Sequence, residues 1–113
     1  MKKEQDLSKD LIEYENLEKQ LEVLLIQKHQ LQIQLNEINH ALEQLGKASG
    51  DVYRTVGSII LHTTKEEAQK DLEERKELID VKVAAIAKQE EKLRATVMET
   101  QKSLQERMKG NAK

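Results

Sequence analysis

Apolar residues that recur at steps of three and four constrain this chain more than any other feature. Tyr14, Leu17, Leu21, Leu24, Leu31, Leu35, Ile38, Leu42 and Leu45 form one such seam, with a single gap at Lys28. Leu72, Ile79, Val83, Ile86, Leu93, Val97 and Leu104 form a second, interrupted by Lys76, Glu90, Thr100 and Arg107. Spacing of this kind, held over several heptads, is the seam of a coiled coil. Composition agrees. Phe, Trp, Pro and Cys are absent, Tyr14 and Tyr53 are the only aromatics, and 35% of the 113 residues are charged. A globular core normally takes its bulk from aromatics, so the expected core is a narrow one between two helices. An arm the length of the first would span roughly 60 Å at about 1.5 Å per residue. A single domain of this size reaches that length only as a rod.

The stretch between the seams, Asp51 to Thr63 (DVYRTVGSIILHT), does not read as helix. Val52–Val56 and Ile59–His62 are rich in β-branched residues and flank Gly57-Ser58. Glycine at the first central position suits a type II′ turn. A two-residue loop sets Val56 opposite Ile59 and Arg54 opposite Leu61. An isolated two-stranded hairpin is marginal in water and leaves both edges unpaired. This one therefore needs other chains, and Val52, Tyr53, Val56, Gly57, Ile59, Ile60 and Leu61 are its candidate interface residues.

The expected order is a frayed terminus over 1–5, a helix over 6–46, the hairpin over 51–63, a helix over 64–109 and a frayed tail over 110–113. Gly46 is a candidate left-handed C-cap for the first helix. Thr64 with Glu67 reads as a capping box for the second. Glu15–Lys19, Glu66–Lys70, Asp71–Arg75 and Glu90–Arg94 have the spacing of helical ion pairs. Folding back at Gly57-Ser58 pairs positions whose numbers sum to about 117 or 118. Leu45 then meets Leu72, Ile38 meets Ile79 and Tyr14 meets Leu104. Lys28 meets Glu90, so the one charge in the first seam faces an opposite charge. A polar pair at core positions fixes register at some cost in stability. The alternative is that both side chains snorkel past the seam to water.

At this point the chain resembles a β-type subunit of prefoldin, and archaeal members in its short tail. The specific part is Val52-Tyr53-Arg54-Thr55-Val56-Gly57-Ser58-Ile59-Ile60-Leu61, placed between two coiled-coil arms. Asn36-Glu37 and Gln89-Glu90-Glu91-Lys92 are further pointers, and one hairpin in place of two indicates the β type. The resemblance implies a mainly α fold: a long antiparallel two-helix coiled coil whose central hairpin joins an oligomeric β-barrel base. It implies a jellyfish-shaped hexamer of two α-type and four β-type subunits. It also implies an ATP-independent holdase that binds unfolded client proteins at its coiled-coil tips and delivers them to a group II chaperonin, with no cofactor.

Residues off the seam bear on that reading. Ile12, Ile26 and Ile33 share one outer heptad position, Leu11 and Leu25 flank the seam, and Leu78, Val81, Met98 and Met108 lie off it in the second arm. Antiparallel arms gather Leu7, Leu11, Ile12, Tyr14, Leu104 and Met108 at the tip away from the hairpin, as candidate client contacts. Their alternative role is to close the end of the coil. Leu78 and Val81, nearer the hairpin, are assigned to neighbouring subunits. The competing function is a structural scaffold or spacer with no client binding.

Other classes find little support. His29, His40 and His62 lack the partners of a zinc motif. No glycine carries the context of a phosphate loop, and a two-helix core offers no dry cleft to shift carboxylate pKa values, so the chain is not read as an enzyme and no metal site is expected. A net charge of −2 with interspersed signs gives no basic stripe for nucleic acid. The longest apolar run, Val23–Ile26, is too short for a membrane, and the opening MKKEQDLSKD has no apolar signal region. Together with the absence of cysteine, these point to a cytoplasmic protein.

Overall fold

The computed structural model describes residues 2–111, with side chains from Leu7 to Gly110. The elements are α1 (Lys2–Lys47), β1 (Val52–Val56), β2 (Ile59–Thr63) and α2 (Lys65–Asn111). The fold is mainly helical, two long helices around one antiparallel hairpin. Backbone contacts group it into two units. The hairpin unit is His29–Ala84, and the terminal unit is formed by α1 up to Lys28 and α2 from Ala85.

In the hairpin unit the strands pair as Val52 with Thr63, Tyr53 with His62, Arg54 with Leu61, Thr55 with Ile60 and Val56 with Ile59. The turn is set by Gly57, whose φ of +61° is open to glycine at little strain. No non-glycine residue among those described has a positive φ, so Ser58 does not, which makes the turn II′ and not I′. Leu31, Leu35, Ile38, Leu42 and Leu45 of α1 are half-buried, and Ile79 of α2 is buried. Helix pairs cover each seam from one side only, so half-burial is the norm. Each such leucine contributes on the order of 1 kcal/mol. Close to the hairpin the covered positions of α2 that follow the seam are Lys65, Ala68, Leu72, Lys76 and Ile79, and Asp71 is half-buried as well. The steps of three, four and four from Lys65 to Lys76 make an eleven-residue spacing, which locally relaxes the left-handed supercoil.

The ends of the helices differ from the sequence expectation. Gly46 does not cap α1 in a left-handed conformation. It is helical, and the positive-φ glycines are Gly50 and Gly57. A glycine inside a helix loses about 1 kcal/mol relative to alanine but does not stop it. The helix closes with a tightened turn, in which the Ala48 N–H donates to the Leu45 carbonyl at 3.2 Å. The Lys65 ammonium then donates to the carbonyls of Gly46 (3.2 Å) and Ala48 (3.4 Å). A cation is thus placed at the negative end of the α1 dipole.

At the start of α2, Thr64 is the N-cap, accepting the Glu67 N–H at 3.1 Å. The capping box is only half made, because the Glu67 carboxylate takes the Thr63 hydroxyl at 3.2 Å. The two outer boundaries also move. α1 is helical from Lys2, since Lys2 to Asp6 contains no helix breaker, and α2 continues through Gly110 to Asn111. Of the expected frayed ends, Met1, Ala112 and Lys113 lie outside the described residues.

In the terminal unit, Leu7, Tyr14, Leu17, Leu21 and Leu24 are half-buried together with Ile86, Leu93 and Val97, and Leu104 is buried. Two cross-helix ion pairs fix the direction. Lys28 meets Glu90, and Asp10 meets Arg107. The lower number on one helix goes with the higher on the other, so the segments run antiparallel.

Candidate functional site

Two groups of uncovered apolar residues coincide with the positions singled out in the sequence. The first is the hairpin. Tyr53 and Ile60 are exposed on one face beside Thr55 and His62, with Ile60 at 69% exposure. Val56, Ile59 and Leu61 are exposed on the other face, while Val52 is half-buried. Thus six of the seven candidate interface residues, five side chains and Gly57, stand at an apolar hairpin that its own chain does not cover. Strand alternation alone puts apolar groups on both faces, and a lone hairpin cannot bury either.

Polar contacts link the hairpin to α2 and join its strand ends. Arg54 on β1 reaches Asp71 of α2 at 3.9 Å, and Arg75 shares that carboxylate at 3.4 Å. At the strand ends, His62 Nε2 lies 3.4 Å from Asp51 Oδ1, and the His62 ring meets Tyr53 edge-on at a centroid distance of 5.5 Å. Such edge-to-face pairs are a favourable aromatic geometry. The hairpin is a two-stranded sheet with two free edges, linked to α2 through Arg54 and Asp71.

The second surface is in the terminal unit, around Asp10 and Arg107. Here the six candidate tip residues divide. Leu11, Ile12 and Met108 are exposed. Leu7 and Tyr14 are half-buried in the seam, and Leu104 is buried at 6%. Glu18, one turn along α1, raises the pKa of the Tyr14 hydroxyl above its ordinary value. The Asp10–Arg107 pair was not among the expected contacts. The same register arithmetic that pairs Lys28 with Glu90 contains it, but Asp10 stands before the first apolar seam residue used for the count.

Further exposed apolar side chains run along both helices: Val23, Leu25 and Ile26 in the terminal unit, Ile33, Leu78 and Val81 in the hairpin unit. Met98 of the terminal unit is exposed as well. The Lys28–Glu90 contact is a small network. Lys28 Nζ lies 3.1 Å from Glu90 Oε2, and Arg94 meets Glu90 Oε1 at 3.1 Å. These donors, Lys28 first, hold the Glu90 carboxyl below the usual carboxylate range. Of the spaced helical pairs, Asp71–Arg75 and Glu90–Arg94 form, whereas Glu15–Lys19 and Glu66–Lys70 do not close. Exposed pairs gain too little to hold two long side chains in one geometry.

Among the described residues, no group of three or more His, Asp or Glu is placed to hold a metal ion, and no helix is long and apolar enough to cross a membrane.

A seam-paired helical hairpin whose central strands stay uncovered defines the class: a coiled-coil subunit built for assembly. The prefoldin subunit family model matches residues 8–111, and the chain belongs to that family. It is similar to the prefoldin subunit beta of Pyrococcus furiosus, with 37% identity over 93 residues covering 80% of each chain. The prefoldin subunit beta of Caldivirga maquilingensis is 37% identical over 99 residues, 86% of this chain and 82% of the relative. Among solved structures, the crystal structure of the prefoldin beta subunit from Thermococcus strain KS-1 superposes with a TM-score of 0.84 at 31% identity. That match covers 89% of this chain and 90% of the other. The family is one of chaperone subunits, not enzymes, and membership makes this chain part of a hetero-oligomeric complex with other prefoldin subunits.

Proposed function

We propose that the chain is an ATP-independent holdase subunit that binds unfolded proteins through the apolar ends of its arms and delivers them to a group II chaperonin. It assembles with an α-type subunit, two α with four β, through hairpins that join into a β-barrel base. It acts in the cytoplasm. The observation that supports this best is that each unit carries uncovered apolar side chains: the hairpin, from Tyr53 to Leu61, in one, and Leu11, Ile12 and Met108 near Asp10–Arg107 in the other. The first suits permanent association, since both edges and both faces need partners. The second suits transient contact, because flexible Met and scattered apolar side chains accept many sequences.

The test is light scattering of a chemically unfolded protein diluted into the assembled complex without nucleotide. The full complex should suppress scattering. Removing the first dozen and the last ten residues should leave assembly intact and abolish suppression. A truncated complex that still suppresses would remove the tip assignment. A complete complex that assembles and suppresses nothing would be a scaffold.

A further inference from the structure

The terminal unit carries an open groove of about 620 Å³ between α1 and α2. Val23, Leu24 and Leu93 form its floor, with Lys19 on the α1 wall and Lys92 on the α2 wall. No acidic side chain lines it, and its other lining groups are glutamine amides and Thr96. Val23 is 52% exposed, so the floor is open to solvent. Among the described residues, no carboxylate lies within ion-pairing distance of Lys19 or Lys92. The chain as a whole is slightly acidic, at −2. The charged residues that line the groove are thus basic only, on a chain whose net charge is slightly negative.

The register gives the spacing of the two cations. The Lys28–Glu90 and Asp10–Arg107 pairs set Lys92 level with about residue 25 of α1. Lys19 and Lys92 thus stand roughly 9 Å apart along the helix axis. An extended peptide advances about 3.3 Å per residue. With helix axes about 8–10 Å apart, the two cations are about 12–14 Å apart, or about four extended residues. Carboxylates at i and i+4 share one face of such a peptide with an apolar residue at i+2, which would rest on Val23, Leu24 and Leu93.

We propose that this groove takes segments of unfolded polypeptide in which apolar residues are flanked by acidic ones. The proposal rests on the holdase reading and adds a client preference to it. Charge complementarity selects among apolar segments whose burial gain is otherwise similar.

The chain lacks tryptophan, so a peptide with one Trp in a Leu/Ile centre reports its own binding by fluorescence. Two such peptides, one flanked by Glu and one by Lys, are titrated against the full-length protein. The Glu-flanked peptide should bind about five-fold more tightly, as expected for two exposed charge contacts, and added salt should erase the difference. K19E/K92E should reverse the order and K19Q/K92Q should abolish the preference, with helicity by circular dichroism unchanged in each. Equal binding of both peptides to the wild type, or an unaltered preference in K19E/K92E, overturns the proposal. So does a V23K variant that lowers the particle mass of the chain alone, which would mean a second copy covers the groove. Absent preference with aggregation suppression intact removes the groove and leaves the holdase reading. Preference without suppression removes the holdase reading and keeps the groove as a peptide site.

Discussion

Lys28 of α1 and Glu90 of α2 lie 62 positions apart in the chain, and their charged groups meet at 3.1 Å inside the helix seam. The Glu90 side chain is only 13% exposed and also takes Arg94. Lys28 and Glu90 occupy seam positions that leucines could fill, and Arg94 reaches Glu90 from the exposed side. This triad stabilises one alignment of the arms against others more than it stabilises the fold. E90A should lower the melting temperature by a few degrees, because Lys28 is left in the seam without its partner. K28L/E90L should recover the loss or exceed it, while weakening the choice of register. Thermal melts by circular dichroism check both, and a disulfide introduced between facing seam positions would report any slip.

Acid should act on the same contact. The Glu90 carboxyl titrates below its ordinary value of 4.5 because Lys28 and Arg94 donate to its charged form. Its contribution is therefore complete above the unfolded-state value and is lost as the pH falls through the lowered one. The wild type should lose stability as the pH falls below about 4.5 more steeply than E90Q, which has no such proton to gain. Melting temperatures across that range decide it, and equal slopes would show that the triad is not linked to folding.

Burial predicts which apolar truncations matter. Ile79 is 8% exposed and Ile26 is 52% exposed. Ile79→Ala should lower stability by about 2–4 kcal/mol, and Ile26→Ala by no more than about 0.5 kcal/mol. Urea unfolding of the two variants separates these values.

The hairpin should matter to assembly and not to the helices. Ile60 is 69% exposed in the single chain, so I60K has no effect on helicity within it but places a charge where another subunit is expected. Gly57→Ala forces alanine to a φ of +61° and should weaken the turn by about 1–2 kcal/mol. Both variants should be helical by circular dichroism and both should impair assembly with an α-type subunit, as read by sizing.

Much of this was legible in the residues. Seam spacing gives the helices directly, because only side chains three and four apart share a helix face. Gly57 between two β-branched runs gives the turn and so the strand register, Val56 with Ile59. What escaped is where one residue has several available partners. Glu67 chooses the Thr63 hydroxyl over the Thr64 amide, and Lys65 reaches back across the loop to the end of α1. Ala68 enters the seam although alanine does not announce itself among helical residues. The tip residues were harder still. Leucines at 7 and 104 are alike in sequence to those at 11, yet two turn into the seam and one faces water. That difference depends on the phase of the helix pair and not on residue type.

Native mass measurement of the chain mixed with an α-type prefoldin subunit tests the central claim most directly. The account predicts a six-chain particle with four copies of this chain and two of its companion, lost in I60K. A chain that remains single beside its companion, or an I60K variant that assembles as well as the wild type, would contradict it.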